Sequence, residues 1–150
     1  MTDASELRGK VRELLGGQPL AVLATHGSAQ SYASLVAFAF TDDLTYLAFA
    51  TSRSTRKFAN LQSSQKVAFL IDNRSNRESD FQETTAATVT GIAEEVPPEE
   101  RSRFLKLYME RHPSLLEFVA SPTSALFRVR VDTYYVVTRF QEVMELHLAP

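Results

Sequence analysis

Apolar residues recur along this chain at two periods. Near the N-terminus Leu7, Val11, Leu14 and Leu15 fall on one face at helical spacing, after Asp3 or Ser5 as cap candidates. Gly16-Gly17 predicts the end of that helix. From residue 20 the period shortens to two. "LAVLAT" (20–25) predicts a strand, "GSAQ" a turn, and "SYASLVAFAFT" (31–41) a long strand that "TDD" folds back onto "TYLAFAT" (45–51). "STRKFANLQ" (54–62) predicts a short helix and "KVAFLID" (66–72) an apolar strand. "NRSNRESDFQ" (73–82) is polar and aperiodic and predicts a mobile loop.

"TTAATVTGIAEEV" (84–96) predicts another strand, in which Gly91 marks a bulge or a close backbone approach. A helix follows Pro97-Pro98, with Phe104, Leu105 and Tyr108 as its stripe, and "SLLEFVA" adds a helical turn. "SALFRVRVDTYYVVTRF" (124–140) and "EVMELHL" (142–148) predict closing strands. The result is six or seven antiparallel strands with a few helices, an α+β chain. Strand-turn-strand neighbours and few βαβ units favour a small barrel over a doubly wound sheet.

Alternation in the hairpin separates two faces. Ala33, Leu35, Ala37 and Ala39 share one side of the long strand, and Ala48 and Ala50 one side of its partner. Tyr32, Val36, Phe38, Phe40, Leu47 and Phe49 are the expected core. The small-residue faces suit either tight packing against a helix or subunit, or a flat ring lying close to the backbone.

The 150 residues suit one domain over 1–150, and 44% hydrophobic content supplies a core. The formal charge of -2 argues against binding along a nucleic-acid backbone. No cysteine is present, so disulfides, thiolate metal sites and cysteine nucleophiles are excluded. The charged, periodic N-terminus does not resemble a signal peptide, and no apolar run approaches the roughly 18 residues of a membrane span. A soluble, cytoplasmic protein is expected. Histidines 26, 112 and 147 are scattered and make no recognisable metal set; a structural role is expected of each. Glu94-Glu95 and Glu99-Glu100 read as solvated charge near a helix start.

One segment resists that reading. In "FATSRSTRKFANL" Arg53, Arg56 and Lys57 crowd the start of the short helix. Cations there oppose the helix dipole by about 0.3–1 kcal/mol each. An anion at the same place reverses the sign: free N–H groups, hydroxyls of Thr51, Ser52 and Thr55, and two cations make a phosphate cradle. The alternative is a solvated basic turn.

"TYLAFATSRSTRKFANLQSSQKVAFLID" resembles the FMN-binding split barrels related to pyridoxamine 5′-phosphate oxidase. The resemblance covers residues 18–96. It implies a six- to seven-stranded antiparallel split β-barrel, a homodimer with FMN at the interface, and an oxidoreductase acting on a small molecule. Thr51, Thr55, Arg56 and Lys57 fall on the family's phosphate-binding positions, with Ser52 adjacent, and Ser34, Leu35 and Val36 on its flavin-edge positions. "TVTGIAEEV", with Gly91, matches the strand after the mobile loop. The oxidase itself carries an Arg where Ser34 stands and a Lys near Ala39, with a late Trp and an Arg-x-His motif that this chain lacks, so pyridoxamine phosphate is not the expected substrate. Arg139 and Phe140 are the residues expected from a second subunit. Arg111-His112-Pro113 is similar to a split-barrel branch linked to haem utilisation, which keeps haem binding through His112 or His147 as an alternative, beside a deazaflavin in the same cradle or a non-catalytic dimer.

Overall fold

The computed structural model describes residues 3–139 and 142–148. Phe140 therefore lies outside the described residues. Helix α1 (Ala4–Gly16) forms where its spacing predicts. The Asp3 carboxylate accepts from the Glu6 N–H at 2.7 Å and caps it, and the Gly17 N–H bonds the Glu13 carbonyl at its end. Its stripe of Leu7, Val11, Leu14 and Leu15 is buried, at roughly 1.5–3 kcal/mol each. A charged residue at Val11 would unseat it.

Strands β1 (Leu20–Gly27) and β2 (Gln30–Phe40) form a hairpin across Ser28 and Ala29, at φ 50° and 65°. Positive φ at both positions matches the turn twist to the strands. Next come β3 (Tyr46–Ser52), α2 (Arg56–Ser63), β4 (Lys66–Asp72), α3 (Asp80–Glu83) and β5 (Ala86–Glu95). A 3₁₀ turn at Pro98–Glu100 leads into α4 (Arg101–Arg111), and α5 (Leu116–Ala120), β6 (Ser124–Thr138) and β7 (Glu142–His147) complete the order. The polar stretch 73–82 is thus not wholly a loop: it ends in α3.

All pairings are antiparallel, in the order β3-β2-β1-β4-β5-β6-β7, and β3 also pairs with β6. Six strands therefore close into a barrel and β7 is appended, as the α+β split-barrel expectation requires. Strand β6 is long enough to serve both neighbours: 124–130 pairs with β3, and 133–138 with β7. The β5–β6 register shifts between Thr90 and Gly91. A Cβ at Gly91 would collide with the Arg130 carbonyl and the Val129 side chain, so both readings of this glycine hold.

Two apolar clusters result. Leu23, Phe38, Phe49, Phe69, Val89 and Val129 fill the barrel together with the α1 stripe, and Phe49 stacks on Phe127 at 5.4 Å. Outside it, Ala39, Ala48, Ala50 and Leu126 lie under Phe104 and Tyr108 of α4 and Val119 of α5. The small faces at these positions thus admit a helix rather than a ring. Tyr32 departs from expectation: it shares the inward parity but is 42% exposed, because it lies near the hairpin end, beyond the packed interior.

Candidate functional site

The β2–β3 pairing is short. It runs over Phe38↔Phe49, Ala39↔Ala48 and Phe40↔Leu47 and goes no further. Beyond Phe49, strand β3 keeps pairing with β6 as far as Ser52↔Ser124, while 30–37 of β2 pairs only with β1. Continuing the β2–β3 register would set Val36 opposite Thr51 and Leu35 opposite Ser52. The barrel is split there. One wall is the free edge of β2 with Ser34, Leu35 and Val36, and the other is the end of β3 leading into α2.

The wall at 51–57 is built from hydroxyls. Thr55 caps α2, its Oγ1 accepting from the Phe58 N–H at 3.2 Å and donating to the Ser52 carbonyl at 3.0 Å. Thr51 Oγ1 lies 2.8 Å from Thr55 Oγ1 and 3.3 Å from the Ser52 carbonyl. The hydroxyl protons of Thr51 and Thr55 are thus consumed within the loop. The Ser52 and Ser54 hydroxyls bond one another at 2.9 Å and leave one proton free. The amides of Arg56 and Lys57, the first of α2, have no acceptor among the described residues. The Arg56 guanidinium is exposed and without an ion-pair partner there. Lys57 is half-buried, and loss of hydration lowers its pKa. Two free amides, a free guanidinium and a partly dehydrated ammonium thus converge at one helix start.

Arg53 does not join them. It binds Glu95 through two hydrogen bonds, one of 3.0 Å, and lies 5.5 Å over the Phe58 ring. Glu94 and Glu100 are likewise engaged, both with Arg128. Glu94 is therefore a cross-strand partner and Glu95 and Glu100 are paired from a strand end and a 3₁₀ turn, while Glu99 is exposed as expected. Sequence reasoning missed this pairing because β5 and β6 lie far apart in the chain and the Glu94↔Arg128 register appears only once they pair. On the other wall, Ser34 Oγ is buried and has no hydrogen-bond partner among the described residues. It faces inward beside Leu23, while Leu35 points out and is 65% exposed.

Arg139 is not part of these walls. At φ 46° it lies beside the β6–β7 turn and lines a separate cavity of about 780 Å³ with Lys10, Glu13, Asn73, Glu83 and Glu142. None of Lys10, Glu13 and Glu83 carries an ion-pair partner among the described residues. Sequence reasoning singled out only Arg139 of this set. The histidines are all engaged: His26 Nε2 with Ser64 Oγ at 2.9 Å, His112 Nε2 with the Phe38 carbonyl at 2.6 Å, and His147 with Thr133 and Glu145 at 3.0 Å each. Among the described residues no group of three or more metal-ligating side chains forms, and no helix is long and apolar enough to cross a membrane.

The family model described as pyridoxamine 5′-phosphate oxidase matches residues 7–138. No curated protein sequence matches the chain. The structure is similar to that of a haem-binding protein from Mycobacterium smegmatis, with TM-score 0.84 and 15% identity over 98% of this chain and 59% of that one. It is also similar to HutZ, a haem storage protein from Vibrio cholerae (TM-score 0.74, 15% identity, 87% of this chain and 93% of that one). An FAD-binding protein from Mesorhizobium loti gives TM-score 0.69 and 14% identity over 85% of this chain and 91% of that one. At these identities the likeness is one of fold, and it joins haem and flavin binders alike.

Proposed function

Because the chain belongs to the pyridoxamine 5′-phosphate oxidase family, we propose that it is an FMN-binding flavoprotein with oxidoreductase activity on a small molecule. The observation that carries this reading is the meeting of two features on one split: the free β2 edge with an unpartnered Ser34 hydroxyl, and a loop with two free amides and two free cations. These groups fit a phosphorylated planar ligand. Arg56 clamps the phosphate through two parallel hydrogen bonds, Lys57 acts as a point charge, and their amides donate along the helix axis. Thr51 and Thr55 hold the loop in shape, and Ser52 with Ser54 offers one further hydroxyl proton. The ring system lies along Ser34, Leu35 and Val36. When bound, the flavin supplies hydride or electron transfer at N5, and the chain supplies orientation and electrostatics.

The active form we propose is a homodimer, in which Arg139 reaches the site from the second copy. Oxidation of pyridoxamine phosphate is disfavoured, since Ser34 replaces the oxidase's Arg and Ala39 is buried under α4. A deazaflavin would use the same cradle. Haem is supported by the fold neighbours as well as flavin is. The residues favour flavin, because His112 is buried, both ring nitrogens of His147 are engaged and His26 keeps only Nδ1 without a partner among the described residues, whereas the cradle offers free amides and cations.

Titration of the purified protein with FMN decides the matter. A bound-flavin spectrum is expected, and none at tens of micromolar would sink the proposal. The double change Arg56→Ala, Lys57→Ala weakens binding by roughly 2–4 kcal/mol, from lost charge-assisted hydrogen bonds with incomplete additivity. Unchanged affinity removes these residues from the phosphate. A Soret band on haem titration without any flavin binding would select the haem reading.

A further inference from the structure

The Arg-His-Pro triplet at 111–113 plays no part in the cradle, yet His112 is one of the few buried polar side chains, at 8% exposure. Its partner explains why. Pro19 stands opposite Phe38, one step beyond the Leu20↔Ala37 pair, and the Phe38 N–H donates to the Pro19 carbonyl at 3.4 Å. In an antiparallel ladder such a pair exchanges two bonds. The return bond needs an N–H on residue 19, and proline has none. The Phe38 carbonyl is thus turned towards β1 with no ladder donor. His112 Nε2 lies 2.6 Å from that oxygen, so Nε2 carries a proton and donates it.

The neighbouring residue reinforces the contact. Arg111 Nη2 donates to the Gln18 carbonyl at 2.7 Å, and its guanidinium lies over the rings of Phe38 and Phe40 at 4.9 and 5.1 Å. The C-terminal end of α4 therefore reads both residues that precede β1. On its other edge, Phe38 is where pairing with β3 stops and the free edge of the split begins. At this residue β2 loses a ladder bond on one side and a partner strand on the other.

We infer that His112 is a positioning residue for the split: it replaces the amide proton that Pro19 lacks and pins β2 where its free edge begins. The Arg-His-Pro triplet then serves backbone geometry, with His112 Nε2 committed to the Phe38 carbonyl. The placement of β2 stands on the hydrogen bonds alone; its consequence for FMN rests on the function proposed above.

A double-mutant cycle over His112→Ala and Pro19→Ala tests it. Removing the imidazole also removes packing against Tyr108, 5.1 Å away, but that loss is common to both backgrounds and cancels. In the Pro19→Ala background the new backbone N–H is free to take the Phe38 carbonyl. His112→Ala should lower the folding equilibrium constant at least about tenfold less there than with Pro19 in place. Equal losses in both backgrounds overturn the inference. If His112→Ala does not fold, nitrogen NMR of the wild type decides: Nε2–H is expected, and an Nδ1–H tautomer overturns it. FMN affinity should follow the same cycle, falling with His112→Ala and recovering in the double variant. Affinity that falls without recovery, or does not fall, removes the positioning role. A wild type that binds no FMN defeats the proposed function, while the stability cycle still decides the placement of β2.

Discussion

Arg53 and Arg56 stand three residues apart on one basic stretch and have opposite surroundings. Arg53 is held by Glu95 and covers the Phe58 ring, whereas Arg56 has no charged partner among the described residues. Spacing alone could not separate them, because the partner that removes Arg53 comes from the end of β5. The separation predicts unequal effects on FMN. Arg53→Ala should leave affinity within about threefold and cost no more than about 1 kcal/mol of stability, the usual worth of an exposed ion pair. Arg56→Ala should weaken FMN about tenfold or more. Fluorescence titration of both variants checks this, and equal losses would put Arg53 back in the cradle. Thr51 and Thr55 look alike in the sequence as phosphate ligands. The bond each makes inside the loop casts both as its frame, with Thr55 as the helix cap.

Elements form or fail to form for reasons of different range. The strands and α1 were legible because burial on one face imposes a period that a short window displays. The stretch 73–82 has no such period; Asn73 ties its start to Thr85, and one further side chain gathers the turn that follows. Asp80 accepts from the N–H groups of Ser75, Asn76 and Arg77 and from the Ser75 hydroxyl. These bonds, the Ser75 amide first, hold its carboxyl well below the usual range. The sign follows: a depressed folded pKa gives stability that is full above the ordinary carboxylate value and is lost only as pH falls through the depressed one. The segment should keep its order from pH 7 to about pH 4. Asp80→Asn keeps the shape but not the charge, so tryptic cleavage after Arg74 and Arg77 at neutral pH should speed up. A rate equal to wild type would show that the carboxylate does not organise the segment. The split was illegible for a related reason. Nothing local to β2 says that β3 will leave it for β6 after Phe49. Tyr32 misled because alternation reports which side a residue faces, not how far along the strand that side is covered.

At the scale of the whole molecule, the outer sheet face of β2, β1 and β4 carries exposed apolar residues that no other described element covers. On the outer side of β2, β1 and β4, Leu35, Val22 and Leu70 form a single cross-strand row, with Leu20 at its margin and Ala24, Ala33 and Ala68 beside it. Leu20, Leu35 and Leu70 are 47%, 65% and 37% exposed. A patch of this kind on a barrel whose interior is already filled is suited to a second apolar surface. A twofold partner needs only that the patch complement itself. The row includes Leu35, so a partner seated on it borders the split. The cavity around Arg139 lies elsewhere on the same chain, so the proposed role of Arg139 at this wall requires the proposed second copy. Leu70 separates these ideas, since it lies on the face but outside the proposed flavin contacts. Leu70→Asp should convert a dimer to a monomer in sedimentation velocity, because each interface would bury two carboxylates without partners. FMN affinity should fall with it, although no cradle residue has changed. A monomer that binds FMN as tightly as the wild type would mean that one chain completes the site, and Arg139 would then have no role in it. A variant that remains dimeric would move the interface off this face.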